Sequence, residues 1–212
     1  MEPTEHNRRA WDEIHRLRAE ALAGERGLPN PVRHALADLT DKRVLHLQCG
    51  TGEATAQLAE LGGIVTGVDS ADASLETARE RWPSILWVQA DPQALPRELR
   101  RGRFDLVYAG LGSLAAVLDL EGWLRGVAST LRNGGDFLLY EEHPVALVVD
   151  GLMHWRESYF DPRSPRLGQI VTSAARNGFT IRALEEYPAR GDSWRRHDAR
   201  VPGTFLLYAQ RA

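Results

Sequence analysis

Short apolar runs alternate with amphipathic segments along most of the chain. Continuous apolar runs of this length are typical of strands that are buried on both faces of a sheet. The segments between them place apolar residues at helical spacing, so that they form stripes. We therefore predict that strand and helix alternate five times, as in a parallel sheet with helices on both faces and right-handed crossovers. The runs are VLHLQ (44–48), IVTGVD (64–69), ILWVQAD (85–91), FDLVYAG (104–110) and DFLLYEE (136–142). The stripes are Ala54, Leu58 and Leu61; Leu75, Ala78 and Trp82; and Leu120, Leu124, Val127 and Leu131.

The last third of the chain breaks this rhythm. A helix predicted over 167–175 ends at Asn177-Gly178, and two strands follow, FTIRALEEY (179–187) and GTFLLYAQR (203–211), with no room for a helix between them. Two successive strands without a crossover helix are expected to pair antiparallel. The sequence thus predicts an α/β fold with a seven-stranded, mostly parallel sheet, an antiparallel last strand and a single domain.

An amphipathic helix is also predicted ahead of the sheet. Its stripe contains Trp11, Ile14 and Leu17, and a linker rich in Gly, Pro and Asn follows over 24–31. We expect residues 1–30 to form a helix and linker that cover the functional site, and residues 31–212 to form the sheet domain.

Composition narrows the classes of function. With 212 residues, 43% of them hydrophobic, the chain can bury one substantial core. A net charge of −3 argues against a protein that wraps nucleic acid, so we expect a small-molecule partner and a monomer or homodimer. The N-terminal stretch has no apolar segment of signal-peptide or membrane-span length, which predicts a cytoplasmic protein without a membrane partner. The single cysteine, Cys49, predicts neither a disulfide nor a structural metal.

A glycine turn follows the first predicted strand. The sequence Cys49-Gly50-Thr51-Gly52 opens directly into a helix, which brings bare backbone close to a ligand at the carboxyl end of a strand. Such a turn can also be a tight connection only. Asp69 ends the second run and can accept both hydroxyls of a ribose, whereas Asp91 ends the third and can accept the amine of an adenine. Alternatively, Asp91 caps a helix that begins at Pro92.

Two cofactors contain an adenosine that could be held this way, a nicotinamide dinucleotide and S-adenosylmethionine. The dinucleotide fingerprint G-x-G-x-x-G is only partly matched, because Thr55 stands in place of the third glycine after Gly50 and Gly52. The dinucleotide fold also gives no reason for a final antiparallel strand.

Several segments resemble one known family, in order and spacing, over nearly the whole chain. They are VLHLQCGTG, VTGVDSADASLETARE, QADPQALP, FDLVYAG and LRNGGDFLLYEEHP. The set is similar to the class I S-adenosylmethionine-dependent methyltransferases, which have a Rossmann-like fold. LHLQCGTG, EEHP and the later LGQIVTSAARNGF resemble a bacterial subgroup presumed to act on small molecules.

This resemblance implies a cofactor site at the strand ends. Gly50 and Gly52 would border the methionine part, Asp69 the ribose and Asp91 the adenine amine, while the backbone from Ala109 would lie beside the sulfonium. The family's usual acid falls on His46, which could instead be a satisfied core residue. Its usual first glycine falls on Gln48, which either contacts the methionine carboxylate or marks a different backbone path. The implied cofactor-binding set is His46, Gln48, Gly50, Thr51, Gly52, Asp69, Ser70, Asp91, Pro92, Ala109 and Gly110.

The chemistry would take place at the end of the fifth strand. Methyl transfer from a sulfonium needs mainly alignment, and a base is optional. The candidate base is His143, with Glu142 beside it, although His143-Pro144 could simply end the strand. Trp155 and Tyr159, together with Trp11, could wall an apolar acceptor, or they could pack as ordinary core. The predicted activity is transfer of a methyl group from S-adenosylmethionine to a small molecule; the alternatives are an NAD(P)-dependent oxidoreductase and a non-catalytic binding protein.

Overall fold

One seven-stranded sheet organises the protein. The computed structural model describes residues 27–149, 153–161, 165–189 and 199–212. The strand order is β3-β2-β1-β4-β5-β7-β6, with β1 to β5 parallel and β7 antiparallel to both of its neighbours. The strands are β1 (Arg43–Leu47), β2 (Ile64–Asp69), β3 (Leu86–Gln89), β4 (Phe104–Ala109), β5 (Leu131–Glu142), β6 (Phe179–Pro188) and β7 (Pro202–Arg211).

Six α-helices connect the strands or pack on them in the described part of the chain. They are α1 (Asn30–Ala35), α2 (Glu53–Glu60), α3 (Asp72–Arg81), α4 (Leu120–Thr130), α5 (Pro144–Val148) and α6 (Leu167–Arg176). A short 3-10 helix at Leu114–Ala116 precedes α4. Over the same described ranges, we find no helix with the length and apolar character needed to cross a membrane.

Alternating strand residues build a core on each face of the sheet. Leu45 and Val107 belong to the cluster that also contains buried side chains of α4 and α6. Their neighbours Val44 and Leu106 belong to a second cluster with Val32 of α1 and a leucine of α2. Because side chains alternate across a strand, one sequence supplies both cores. The predicted fold class, including helices on both faces and the antiparallel last strand, is therefore confirmed.

Two local predictions were wrong. No helix connects β3 to β4 among the described residues, since the chain passes through turns at 91–99, where Pro92 and Pro96 interrupt it. Leu131 does not continue α4: the helix ends at Thr130, and Leu131 already pairs with Phe104 as the first residue of β5.

The region before the sheet is described only in part. Helix α1 begins inside the segment predicted as a linker, and Pro31 lies in its first turn, a position that proline favours. The predicted helix around Trp11 falls outside the described residues.

Candidate functional site

The turn after β1 exposes its backbone at one glycine and is closely packed at another. Gly50 has φ +54°, and a Cβ added there would meet no described atom within 4 Å. Gly52 has φ +91°, and its Cβ would lie 2.6 Å from Cη2 of Trp87. Thr51, between them, is exposed and donates its hydroxyl to Glu53 at 2.6 Å. The space over Gly50 is thus open to a ligand, whereas Gly52 is required by packing.

Asp69, at the end of β2, holds the glycine turn in place. Its Oδ2 accepts from the backbone N–H of Gly50 at 2.8 Å, and its Oδ1 accepts from the N–H of Ala71 at 2.9 Å. Each carboxylate oxygen keeps a second lone pair for another donor. The next residue, Ser70, is exposed, and its carbonyl lies 3.4 Å from the Nε2 of Gln89. The ends of β1, β2 and β3 are therefore tied together.

Asp91 lies beyond the end of β3 and is exposed. Its Oδ1 accepts from the N–H of Gln93 at 2.8 Å across the buried Pro92. No helix follows, so Asp91 stabilises a turn and not a helix N-terminus. The Gln93 side chain extends the connection, because its Oε1 accepts from the N–H of Leu118 at 2.8 Å and of Asp119 at 3.2 Å.

The segment 110–114, here called the β4 loop, is held from both sides. It follows Ala109, which is fully buried, and begins with the partly exposed Gly110. Directly after β1, the Nε2 of Gln48 donates to the carbonyl of Ser113 at 2.8 Å. From β5, Glu141 accepts from the N–H of Gly112 at 2.8 Å and of Leu114 at 2.9 Å. The loop is therefore fixed at the edge of the sheet where Gly50 and Asp69 lie.

Glu141 is the residue of this site that is absent from the predicted set. Only 4% of it is exposed, and burial raises the pKa of its carboxyl to about 7, although the N–H donors oppose that rise. The alternation along β5 contains the signal: Leu139 and Glu141 share one face of the strand, and Leu139 belongs to the core beside α4. A carboxylate on that face must be buried.

His46 lies beneath the glycine turn. Its Nδ1 is 2.7 Å from the hydroxyl of Thr55 in α2, and its ring centroid is 4.9 Å from that of Tyr108. Burial lowers the pKa of the imidazole to about 3, so the ring is neutral. These contacts are those of a satisfied core histidine that supports the first turn of α2.

Gln48 presents an unsatisfied acceptor to the same region. Its backbone adopts φ +54°, which is unusual for a residue with a side chain. Its Nε2 donates to the carbonyl of Ser113, but its Oε1 is buried and has no hydrogen-bond partner in the described part of the protein. A buried acceptor of this kind favours a ligand that carries an N–H donor.

His143 follows β5 and caps α5. Its Nδ1 accepts from the N–H of Val145 at 3.2 Å, which places the ring proton on Nε2. Nε2 is buried and 2.9 Å from a carboxylate oxygen of Glu186, without the direction of a hydrogen bond. Burial lowers the pKa of the imidazole, against the opposing effect of Glu186. His143 could accept a substrate proton only by giving up its cap, and the half-buried Glu142 precedes it at the strand end. A base role for either residue stays a prediction.

The aromatic residues predicted to wall the acceptor lie after α5. Trp155 is 63% exposed and forms a single β-bridge with Val149. Tyr159 is half-buried, with its ring 5.5 Å from that of Phe160. Trp11 lies outside the described residues, and a substrate role for all three predicted aromatics stays a prediction.

Cys49 lies in the glycine turn and is buried. It is 7% exposed, and burial, together with the nearby Asp69, raises the pKa of its thiol to about 12. The thiolate is therefore scarce at neutral pH.

The known proteins that this chain resembles are methyltransferases. Residues 44–135 match the family model described as a methyltransferase domain. The chain is 31% identical over 177 residues to an uncharacterized methyltransferase of Synechocystis, in an alignment that covers 79% of this chain and 81% of that protein. It is 30% identical over 163 residues to the demethylmenaquinone methyltransferase of Lactococcus lactis, covering 72% of this chain and 62% of the relative.

A solved structure supports the same relationship. The crystal structure of an S-adenosylmethionine-dependent methyltransferase from Mesorhizobium loti superposes with a TM-score of 0.71 at 26% identity, covering 85% of this chain and 96% of that one.

Proposed function

This chain belongs to the class I S-adenosylmethionine-dependent methyltransferases, and we propose that it transfers the methyl group to a small-molecule acceptor bound at the carboxyl edge of its sheet. The family resemblance predicted from the sequence is confirmed, and the cofactor is S-adenosylmethionine. The acceptor and the roles of individual residues are our proposal.

The observation that carries the site assignment is the open space over Gly50, in the same turn as Gln48, whose buried Oε1 has no hydrogen-bond partner among the described residues. A Cβ would project into this open space, and the ammonium of a methionine group is the type of donor that the buried Oε1 lacks. Asp69 keeps free lone pairs for ribose hydroxyls, and Asp91 is exposed next to it for an adenine amine. The residues present therefore fit the cofactor.

The remaining predicted contacts complete this proposal. When bound, S-adenosylmethionine supplies an electrophilic methyl group on a positively charged sulfur. We assign the adenine side to Ser70, Asp91 and Pro92. We assign the methionine side to Gln48 and the turn Gly50-Thr51-Gly52, and the floor beside the sulfur to Ala109 and Gly110.

The protein contributes mainly alignment and shielding. The β4 loop is fixed by Gln48 and Glu141, so that its backbone keeps one position beside the cofactor site. A fixed wall favours an in-line approach of the acceptor and limits the entry of water. A proton acceptor is needed only where the nucleophile carries a proton, and we assign that task to Glu142 or to His143 after release of its cap.

A small, apolar acceptor is supported by two observations. One relative acts, by its name, on demethylmenaquinone. In the segment after α5, Trp155 is 63% exposed and Phe160 is 71% exposed, so this segment presents large apolar surfaces. We propose that Trp155 and Tyr159 contact the acceptor.

Calorimetric titration tests the proposal. S-adenosylmethionine and its demethylated product S-adenosylhomocysteine should bind, and NAD should not. Formation of S-adenosylhomocysteine should then be measured with a panel of apolar phenols, quinols, amines and carboxylic acids. Turnover on one of them would exclude a non-catalytic binding protein, whereas NAD binding without S-adenosylmethionine binding would refute the site assignment.

A further inference from the structure

Glu141 is a buried carboxylate without a positively charged partner in the described part of the protein. It is 4% exposed, and no Lys, Arg or His among the described residues forms an ion pair with it. Moving a carboxylate out of water is costly unless the charge is compensated.

The hydrogen bonds that the protein donates to Glu141 compensate its buried negative charge only in part. Backbone N–H groups of Gly112 and Leu114 donate to the carboxylate, and its Oε1 also accepts from the N–H of Glu142 at 2.7 Å. These donors are neutral, and burial still raises the pKa of the Glu141 carboxyl to about 7. A cation close to the β4 loop would stabilise the ionised form further.

The titratable groups around Glu141 do not provide that cation. The β4 loop contains none, as its sequence is GLGSL. On β4, Tyr108 is buried and its pKa is raised further above neutral pH. On β5, Tyr140 contacts the hydroxyl of Thr204 and Glu142 is itself acidic. Beyond β5, burial lowers the pKa of His143.

We propose that Glu141 is an electrostatic positioning residue that makes the site bind the cationic S-adenosylmethionine more tightly than the neutral-sulfur S-adenosylhomocysteine. This inference rests on the proposed cofactor site beside the β4 loop. Because methyl transfer removes the positive charge from the sulfur, the attraction to Glu141 ends with the reaction. The buried charge would thus favour the methyl donor and promote release of the product.

Two substitutions distinguish the effect of the Glu141 charge from the effect of its hydrogen bonds to the β4 loop. Glu141→Asp keeps the charge but shortens the side chain, so it disturbs the hydrogen bonds to the loop. Glu141→Gln keeps the length but removes the charge, and its NH₂ cannot accept from one of the two loop N–H groups. Both variants perturb the loop, whereas only Glu141→Gln abolishes the charge. Glu185→Gln, an exposed position on β6, is a control for the change in net charge.

The experiment is a titration of each protein with both ligands at about pH 6 and about pH 8 in low salt. In the wild type, the preference for S-adenosylmethionine should rise with pH, because the Glu141 carboxyl, whose pKa lies at about 7, ionises in this window. Glu141→Gln should lose part of that preference at the higher pH, by about tenfold for each 1.4 kcal/mol of charge interaction that the substitution removes. Comparing variant with wild type cancels the titration of the ligands themselves.

The outcomes divide cleanly. A preference retained by Glu141→Asp and Glu185→Gln but lost in Glu141→Gln supports the proposal. Equal weakening of both ligands in Glu141→Gln, with circular dichroism confirming a folded protein, would overturn it and leave Glu141 as a loop anchor. Amide exchange at Gly112 and Leu114 provides a second measurement: similar loosening of the loop in both variants, with different ligand preference, assigns the preference to charge. Failure of the wild type to bind either ligand would instead refute the proposed cofactor site.

Discussion

Gly50→Ala tests whether the cofactor approaches the glycine turn where the structure leaves space. Gly50 has φ +54°, and its added Cβ would meet no described atom within 4 Å. The folded protein should therefore tolerate the methyl group, apart from the left-handed backbone conformation, which costs about 1–2 kcal/mol for a residue with a Cβ. For a chain of this size that corresponds to a fall in melting temperature of roughly 2–8 °C.

The effect on binding should be larger than the effect on folding. The new methyl group would project into the space assigned to the cofactor, and overpacking by one methyl typically costs about 1–3 kcal/mol. Affinity for S-adenosylhomocysteine should thus fall roughly 5- to 150-fold. Isothermal titration calorimetry measures this fall directly, and differential scanning calorimetry measures the cost to stability.

Two other glycines provide controls for Gly50→Ala. Gly126 lies within α4 with no described atom near its Cβ position, so Gly126→Ala should raise stability by up to about 1 kcal/mol and leave affinity unchanged. Gly52→Ala should destabilise the fold by roughly 2–5 kcal/mol, since its Cβ would lie 2.6 Å from the Trp87 ring at φ +91°. Wild-type affinity in a folded Gly50→Ala variant would show that the cofactor does not bind over Gly50.

Three further predictions concern the acidic and histidine residues of the site. Asp69→Ala should weaken S-adenosylhomocysteine binding by about 2–3 kcal/mol in calorimetry, through loss of ribose contacts and of the bond to the turn; unchanged affinity would remove Asp69 from the site. His143→Ala should lower the free energy of unfolding by about 1 kcal/mol in urea, whereas His143→Asn, which keeps a cap, should not; a loss of turnover in the stable Asn variant would support a base role. For Glu141, the carboxyl pKa is raised from 4.5 to about 7, so its contribution to stability is present below about pH 4.5 and is lost as pH rises through 7. Relative to Glu141→Gln, the wild type should therefore lose on the order of 3 kcal/mol between about pH 4.5 and 7.5, and parallel stability curves would contradict the shifted pKa.

Much of the fold was predictable from local patterns. The continuous apolar runs of β1, β2 and β4 identified central strands, because strands buried on both faces leave little room for polar residues. The hairpin of β6 and β7 followed from the absence of a helix between two strand patterns. The absence of a helix between β3 and β4 could not be predicted from local patterns. The chain there is held by hydrogen bonds in which the side chains of Asp91 and Gln93 accept from the backbone N–H groups of Gln93 and Leu118, respectively.

The site was predictable where backbone geometry dictates residue type. The glycine turn predicts Gly50 and the strand end predicts Asp69. In the structure, the N–H of Gly50 donates to Oδ2 of Asp69 at 2.8 Å. The sequence predicts His143 as a base because imidazole titrates near neutral pH, and in the structure the ring caps α5. Glu141 is not in the predicted set because its burial under the β4 loop depends on tertiary contacts with residues 27 and 29 positions away in sequence.

The buried position of Cys49 makes the protein convenient for spectroscopy. It is the single cysteine of the chain, and its inaccessible, high-pKa thiol should react poorly with maleimides. A cysteine introduced at Leu111, which is 45% exposed in the β4 loop, would then be labelled selectively in the natural background. A fluorophore at this position would report binding of the cofactor at the proposed site in real time, and the native thiol would not have to be removed first.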